Sequence, residues 1–269
     1  MADGESLKRF FKQQASRFRK CLEPSMSCDA DAIQAHSIQN ARVFDLLSVQ
    51  NHVMMFKQRF SKNGPTIELV KIGRNKASTF TGFCARHDTE IFRRLDTEKF
   101  DVNDREMLFL LAYRSVTREL HATMEAAVKI QGAYQDRVGR GLDDGSSPSP
   151  AGMQAVTQIM TSFKTYQYRH CFFDRLLIKR EYDQIHHVVI NMEKQPPVVA
   201  ASCLFSLDEV KVEDDCARVI LNVFPLSTDR TVAVFSFVGR DEVKAKQALD
   251  RVLSSQDAID NQHQDYRPL

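Results

Sequence analysis

The sequence predicts an α+β protein, on three observations. Residues 21–100 alternate short apolar pieces with turn residues, residues 101–182 carry a nearly unbroken helical pattern, and residues 183–269 hold four β-type runs. The divisions at 100 and 182 are the expected boundaries of an N-terminal module, a helical hairpin and a β-rich C-terminal part.

In chain order, "ESLKRFFKQQASRFRK" (5–20) holds six basic residues and three Phe near helical spacing. A surface helix is expected there, its Phe side on the domain and its basic side free for phosphate. "HVMMF" and "TIELVKI", flanked by "SKNGP" and "GRNKAS", read as strands joined by turns. A helix is expected to start near Cys84 and to run through "RHDTEIFRRL". After Asp101, with Asn103 as the N-cap, about 35 residues without Pro predict a long helix interrupted near Gly132. "GRGLDDGSSPSPAG" (139–152) is expected to be a flexible loop, and "GMQAVTQIMTSFKTYQYRHCFFDRLLIK" a returning helix that completes an antiparallel hairpin. The runs "HHVVINM", "VVAASCLFSL", "ARVILNVFP" and "RTVAVFSFV" predict a mostly antiparallel sheet packed on that hairpin. "RDEVKAKQALDRVLSS" then reads as a short helix and "QDAIDNQHQDYRPL" as a solvated end.

Composition narrows the function. A chain of 269 residues can bury a full core, and no run of about 18 apolar residues suggests a membrane span. The N-terminus lacks the apolar stretch of a signal peptide, so a cytoplasmic location is expected. The net charge of +2 is unevenly spread. Residues 1–100 hold 17 Lys and Arg against 11 Asp and Glu, while the rest hold 20 against 24. The front of the chain therefore suits a polyanion, and nucleic acid is the expected partner there. The C-terminal part, whose sheet offers an edge, is the expected docking surface for a protein partner. Six cysteines in a chain this long do not make a disulfide scaffold; in a reducing compartment they point to metal or buried thiols.

"KCLEPSMSCDADAIQAHSIQN" and "GFCARHDTEIF" hold five soft or borderline ligands: Cys21, Cys28, His36, Cys84 and His87. Four suffice for tetrahedral zinc. Two sets stay open: Cys21, Cys28, Cys84 and His87, or His36 in place of Cys21. Cys171, Cys203 and Cys216 lie in apolar contexts and read as core thiols.

This arrangement resembles the HNH-like (His-Me finger, treble-clef) zinc family over about residues 20–95. The resemblance implies a treble-clef-like module in which structural Zn²⁺ sits on Cys21, Cys28, Cys84 and His87. It also implies a metal-dependent nuclease acting on DNA, with His36 as the base that takes a proton from water. Asn75 would orient His36, and Asp88 would help hold a catalytic Mg²⁺ or Mn²⁺ ion. Small bacterial proteins of this look serve in defence against phage or plasmids, which the resemblance extends to this chain. Ala35 stands where active members carry a metal-binding Asp. The alternative is a non-catalytic zinc-binding adaptor for nucleic acid or protein, with His36 a buried polar residue or a zinc ligand.

Other constellations carry less. Arg114 and His121 match an Arg-x6-His spacing found in helical ribonucleases, but Arg114, in apolar "FLLAYRSV", reads as a buried charge that needs a carboxylate. "KIQGAYQDRVGR" lacks the Arg of a calmodulin-binding segment. His186 and His187 are adjacent in a strand, face opposite sides and cannot share a metal.

Overall fold

The structure, a computed structural model, describes residues 18–61, 64–146, 148–193, 199–207, 216–251 and 254. Most of the expected basic helix (5–20) and the expected solvated end (256–269) lie outside these residues.

The first unit is built around a loop, residues 21–28, and two small sheets. β1 (Ile33–His36) pairs antiparallel with β4 (Thr79–Phe83), with a bulge between Ile33 and Ala35. Leu22 N–H donates to the Gly82 carbonyl at 2.8 Å, which docks the loop on β4. Gly82 leaves room for the Phe80 ring, which would have to shift from a Cβ placed 2.4 Å away. β2 (His52–Ser61) and β3 (Gly64–Gly73) form a ten-rung hairpin from His52↔Gly73 to Ser61↔Gly64. Strand alternation gives it two faces. Val53, Met55 and Ile72 turn to the core, whereas Met54, Phe56, Ile67 and Leu69 turn to solvent.

α1 (Ala85–Thr97) buries Phe92 and Leu95 on this unit. It then meets α2 (Arg105–Gly139), which is capped by Asp104 rather than by the expected Asn103. The Asp104 carboxylate accepts from Met107 N–H at 3.0 Å, and its other oxygen takes Arg94 at 2.6 Å. A neighbouring cation thus decides between two adjacent capping side chains. The helix runs unbroken through Gly132, because a single helical glycine weakens a helix by only about 1 kcal/mol. Its 35 residues span about 52 Å at about 1.5 Å per residue. From Met107 to His121 the helix is largely buried; beyond that only Ala127 is.

α3 (Pro150–Arg169) starts with Pro150 at its first position and the Ser149 hydroxyl accepting from Gly152 N–H at 3.1 Å. It returns antiparallel along α2, with Gln158 donating to the Thr123 carbonyl at 3.3 Å. A π-helical turn (His170–Asp174) carries the helix on to Arg175–Lys179, and Arg180 ends it in the left-handed region at φ 57°.

The C-terminal sheet is wholly antiparallel. β5 (Ile185–Glu193), β6 (Ala201–Ser206), β7 (Arg218–Pro225) and β8 (Arg230–Val238) lie in the order β5-β8-β7-β6. One face, with Ile220, Phe224, Val232 and Val234, joins the same core as Cys21, Phe83, Phe92 and Tyr113. The other face, with Val219, Phe235 and Phe237, packs on Ala245 and Leu249 of a closing helix, residues 242–251. The α+β class therefore holds. No helix among the described residues is long and apolar enough to cross a membrane.

Candidate metal centre

Two segments far apart in sequence bring four soft ligands together. Cys21 and Cys28 come from the loop before β1, Cys84 caps the N-terminus of α1, and His87 sits on the first turn of that helix. Their ligand atoms all lie within 4.8 Å of one another. His87 Nδ1 stands 3.3 Å from Cys21 Sγ and 3.4 Å from Cys84 Sγ, and Cys28 Sγ stands 3.9 Å from Cys84 Sγ. Tetrahedral zinc, with Zn–S about 2.3 Å and Zn–N about 2.0 Å, has edges of about 3.5–3.8 Å. The four residues could hold such an ion, and His36 is not among them.

The thiols are prepared unequally. Burial pushes the Cys21 thiol up to about 11, against hydrogen bonds from backbone N–H groups of Cys84 and Glu23. At Cys84 burial acts in the same direction but is outweighed by backbone N–H groups of His87 and Arg86 at the helix start and by the neighbouring thiols, so its value falls. A metal ion would draw the remaining protons off. With the metal on Nδ1, neutral His87 carries its proton on Nε2. Arg86, which lies 2.9 Å from Nε2 and can only donate, must then turn to solvent.

Two further residues, not singled out by the sequence, hold the loop in shape. The Glu23 carboxylate accepts from Ser25 N–H at 2.8 Å, Ser27 N–H at 2.7 Å and Cys28 N–H at 3.1 Å, and from the Ser25 hydroxyl. Burial alone would raise its pKa, but these donors win and hold it at about 2. Glu23 thereby folds the six residues between Cys21 and Cys28 into one turn. From α3, Arg169 donates to the Leu22 carbonyl at 2.7 Å. Glu23→Ala is expected to weaken zinc binding about 10- to 100-fold, as loss of a residue that orients metal ligands does. Competition with a chromophoric chelator measures this, and an unchanged affinity would show that the loop shapes itself.

The expected catalytic residues lie nearby. His36 ends β1, half-buried, with the Arg74 backbone carbonyl acting on its ring. Its Nε2 is buried with no hydrogen-bond partner. Burial depresses its pKa, Arg114 adds to this, and the Arg74 carbonyl and Asp96 oppose it. Asn75 is exposed in the turn Arg74–Lys76. Asp88 lies on α1, and its buried Oδ1 also lacks a hydrogen-bond partner; burial raises its pKa against the pull of Arg114. Asp88, Phe92 and Asp96 recur every four residues and share one helix face.

Arg114 of α2 lies on that face. It donates to both Asp96 oxygens at 2.7 and 2.6 Å, and its guanidinium lies 4.2 Å over the Phe92 ring. This is the carboxylate that a buried Arg requires. His121 does not join it: buried between Phe18 and Phe80, its Nε2 meets the Phe18 carbonyl at 2.9 Å.

Elsewhere, His187 Nδ1 takes the Ser236 hydroxyl at 2.8 Å while His186 stacks on Phe237, so the two imidazoles have separate partners. Cys216 is buried and Cys203 half-buried, but Cys171 is exposed, so the expectation of a core thiol fails there. The π turn gives Cys171 an outward position while Phe173 is buried.

No family model, curated protein or solved structure matches the chain.

Proposed function

We propose that the chain is a zinc-stapled nucleic-acid-binding protein without hydrolytic activity. Cys21, Cys28, Cys84 and His87 hold a structural zinc ion in a treble-clef-like unit of loop, strand pair and helix. The set is closed: four protein ligands leave no open position for substrate. One observation carries the non-catalytic reading. The charge of Arg114 reaches both His36 and Asp88, so the cation at this site is a guanidinium already fixed to Asp96. A divalent ion held by Asp88 would meet that like charge. His36 Nε2 is buried out of contact with bulk solvent.

Binding draws on the surplus of cations in residues 1–100 and on the exposed Lys71, Lys76, Arg86 and Arg93 beside the zinc unit. Phe56, 72% exposed on the outer hairpin face, suits stacking on an unpaired base. The test is fluorescence anisotropy on duplex and single-stranded DNA over a salt series. Binding is expected to weaken with salt, and reversing Lys76, Arg86 and Arg93 to Glu should each reduce the log–log slope by about one. Failure to bind either probe at low salt would sink the proposal.

The second reading, a nuclease of the HNH-like type, is favoured by the pull of the Arg74 backbone carbonyl on the His36 ring, which would make the ring a better base. Incubation of plasmid DNA with Mg²⁺ or Mn²⁺ separates the two readings. Intact DNA is expected. Cleavage that disappears in His36→Ala, with zinc retained, would establish the nuclease instead.

A further inference from the structure

α3 carries two rows of side chains at the same spacing of three and four residues, and α2 covers only one. The inner row includes Ala155, Gln158, Thr165 and Arg169; Ala155, Thr165 and Arg169 are buried, and Gln158 bonds to α2. The outer row is Met153, Val156, Met160 and Phe163, which are 57%, 57%, 38% and 49% exposed. That spacing is the a/d pattern of a helix seam. From Pro150 to Phe163 the helix has no charged residue, so nothing marks this face as ordinary solvated surface.

We propose that the outer row is the seam of a homodimer, in which the α2–α3 arms of two copies assemble as a four-helix bundle. Three observations select a second copy as the occupant. A two-fold interface sets a patch against itself, and an uncharged apolar row does so without like-charge repulsion. Four of the five charges along the α2 half of the arm are paired within that helix, Glu125 with Lys129 at 2.9 Å and Asp136 with Arg140 at 3.6 Å, which leaves the exposed Arg137. A partner recognised by charge would find little to hold. Finally, α2 beyond His121 buries only Ala127, so the arm is a two-helix layer, and pairing with a second such layer gives each helix two neighbours.

This inference does not rest on the zinc site or on nucleic-acid binding. Light scattering and sedimentation velocity on the full, zinc-loaded chain test it. At micromolar concentration the mass is expected to be twice the 30.8 kDa of one chain. Val156→Glu and Met160→Glu place charges on exposed positions; both should be monomeric with unchanged zinc content and circular dichroism, while Met160→Leu stays dimeric. A monomer at every concentration overturns the proposal, as does a dimer that both Glu variants leave intact. Hydrogen exchange identifies the chain's own N-terminus as a rival occupant. Protection of 153–163 in a monomer, lost on deletion of residues 1–17, would assign the row to that segment and overturn the dimer.

Discussion

Cys84→Ala is expected to abolish zinc binding and to lower the thermal midpoint by about 8–16 °C. A ligand that binds only the folded chain stabilises it by about 4 kcal/mol when free zinc exceeds the dissociation constant about a thousandfold. For a chain of this size each kcal/mol moves the midpoint by about 2–4 °C. The effect is concentrated because two of the four candidate ligands are core residues. Cys21 and Cys84 belong to the same apolar cluster as Phe83, Phe92 and Tyr113, so losing the staple loosens the packing of α1 on α2. Elemental analysis should find one zinc in the wild type, none in Cys84→Ala and one in His36→Ala. Zinc lost from His36→Ala would make His36 a ligand and break the assignment of Cys21. A wild type without zinc would remove the metal centre altogether.

The Cys/His cluster was legible in the sequence, with His36 left open as a fifth candidate, because thiols and imidazoles are scarce. Five of them fell in two short segments, and the structure gathers four. The six residues between Cys21 and Cys28 are more than the two to four usual between neighbouring zinc ligands, and Glu23 offsets that width. A carboxylate that gathers three backbone N–H groups makes a long loop behave as a short one. The two-helix hairpin and the four strands were legible from periodicity, which reports burial on one face. Periodicity could not say which apolar face remains unpartnered, so the outer rows of α3 and of the β2–β3 hairpin emerge only from packing. Nor could it show that Arg114, fixed to Asp96, brings its charge to bear on both His36 and Asp88, because contacts between α1, α2 and β1 are not encoded in local spacing.

Arg169→Met is expected to destabilise the protein by about 3–5 kcal/mol, the range for removing one partner of a buried ion pair. Arg169 is fully buried, and its Nε lies 3.3 Å from Asp174 Oδ1. The two are five residues apart. On a regular α-helix they would diverge, but the π turn over His170–Asp174 brings them together, which four-residue spacing rules do not anticipate. Burial pushes the Asp174 carboxyl up, and Arg169 first, then the Tyr113 hydroxyl donating at 2.9 Å, hold it down. Without the guanidinium, burial is opposed only by Tyr113 and the exposed His170, and the carboxyl must take a proton or stay ionised without its cation. The sign of the pH dependence follows. Asp174 then binds its proton more tightly in the folded variant than in the unfolded chain, so the variant recovers stability as pH falls through that raised value. Urea denaturation at neutral and at mildly acidic pH should therefore show the gap to wild type narrowing on acidification. Arg169→Met with Asp174→Asn should recover part of the loss. A gap that is independent of pH, with no recovery in the double variant, would assign the effect to the lost bond at the Leu22 carbonyl instead of the ion pair.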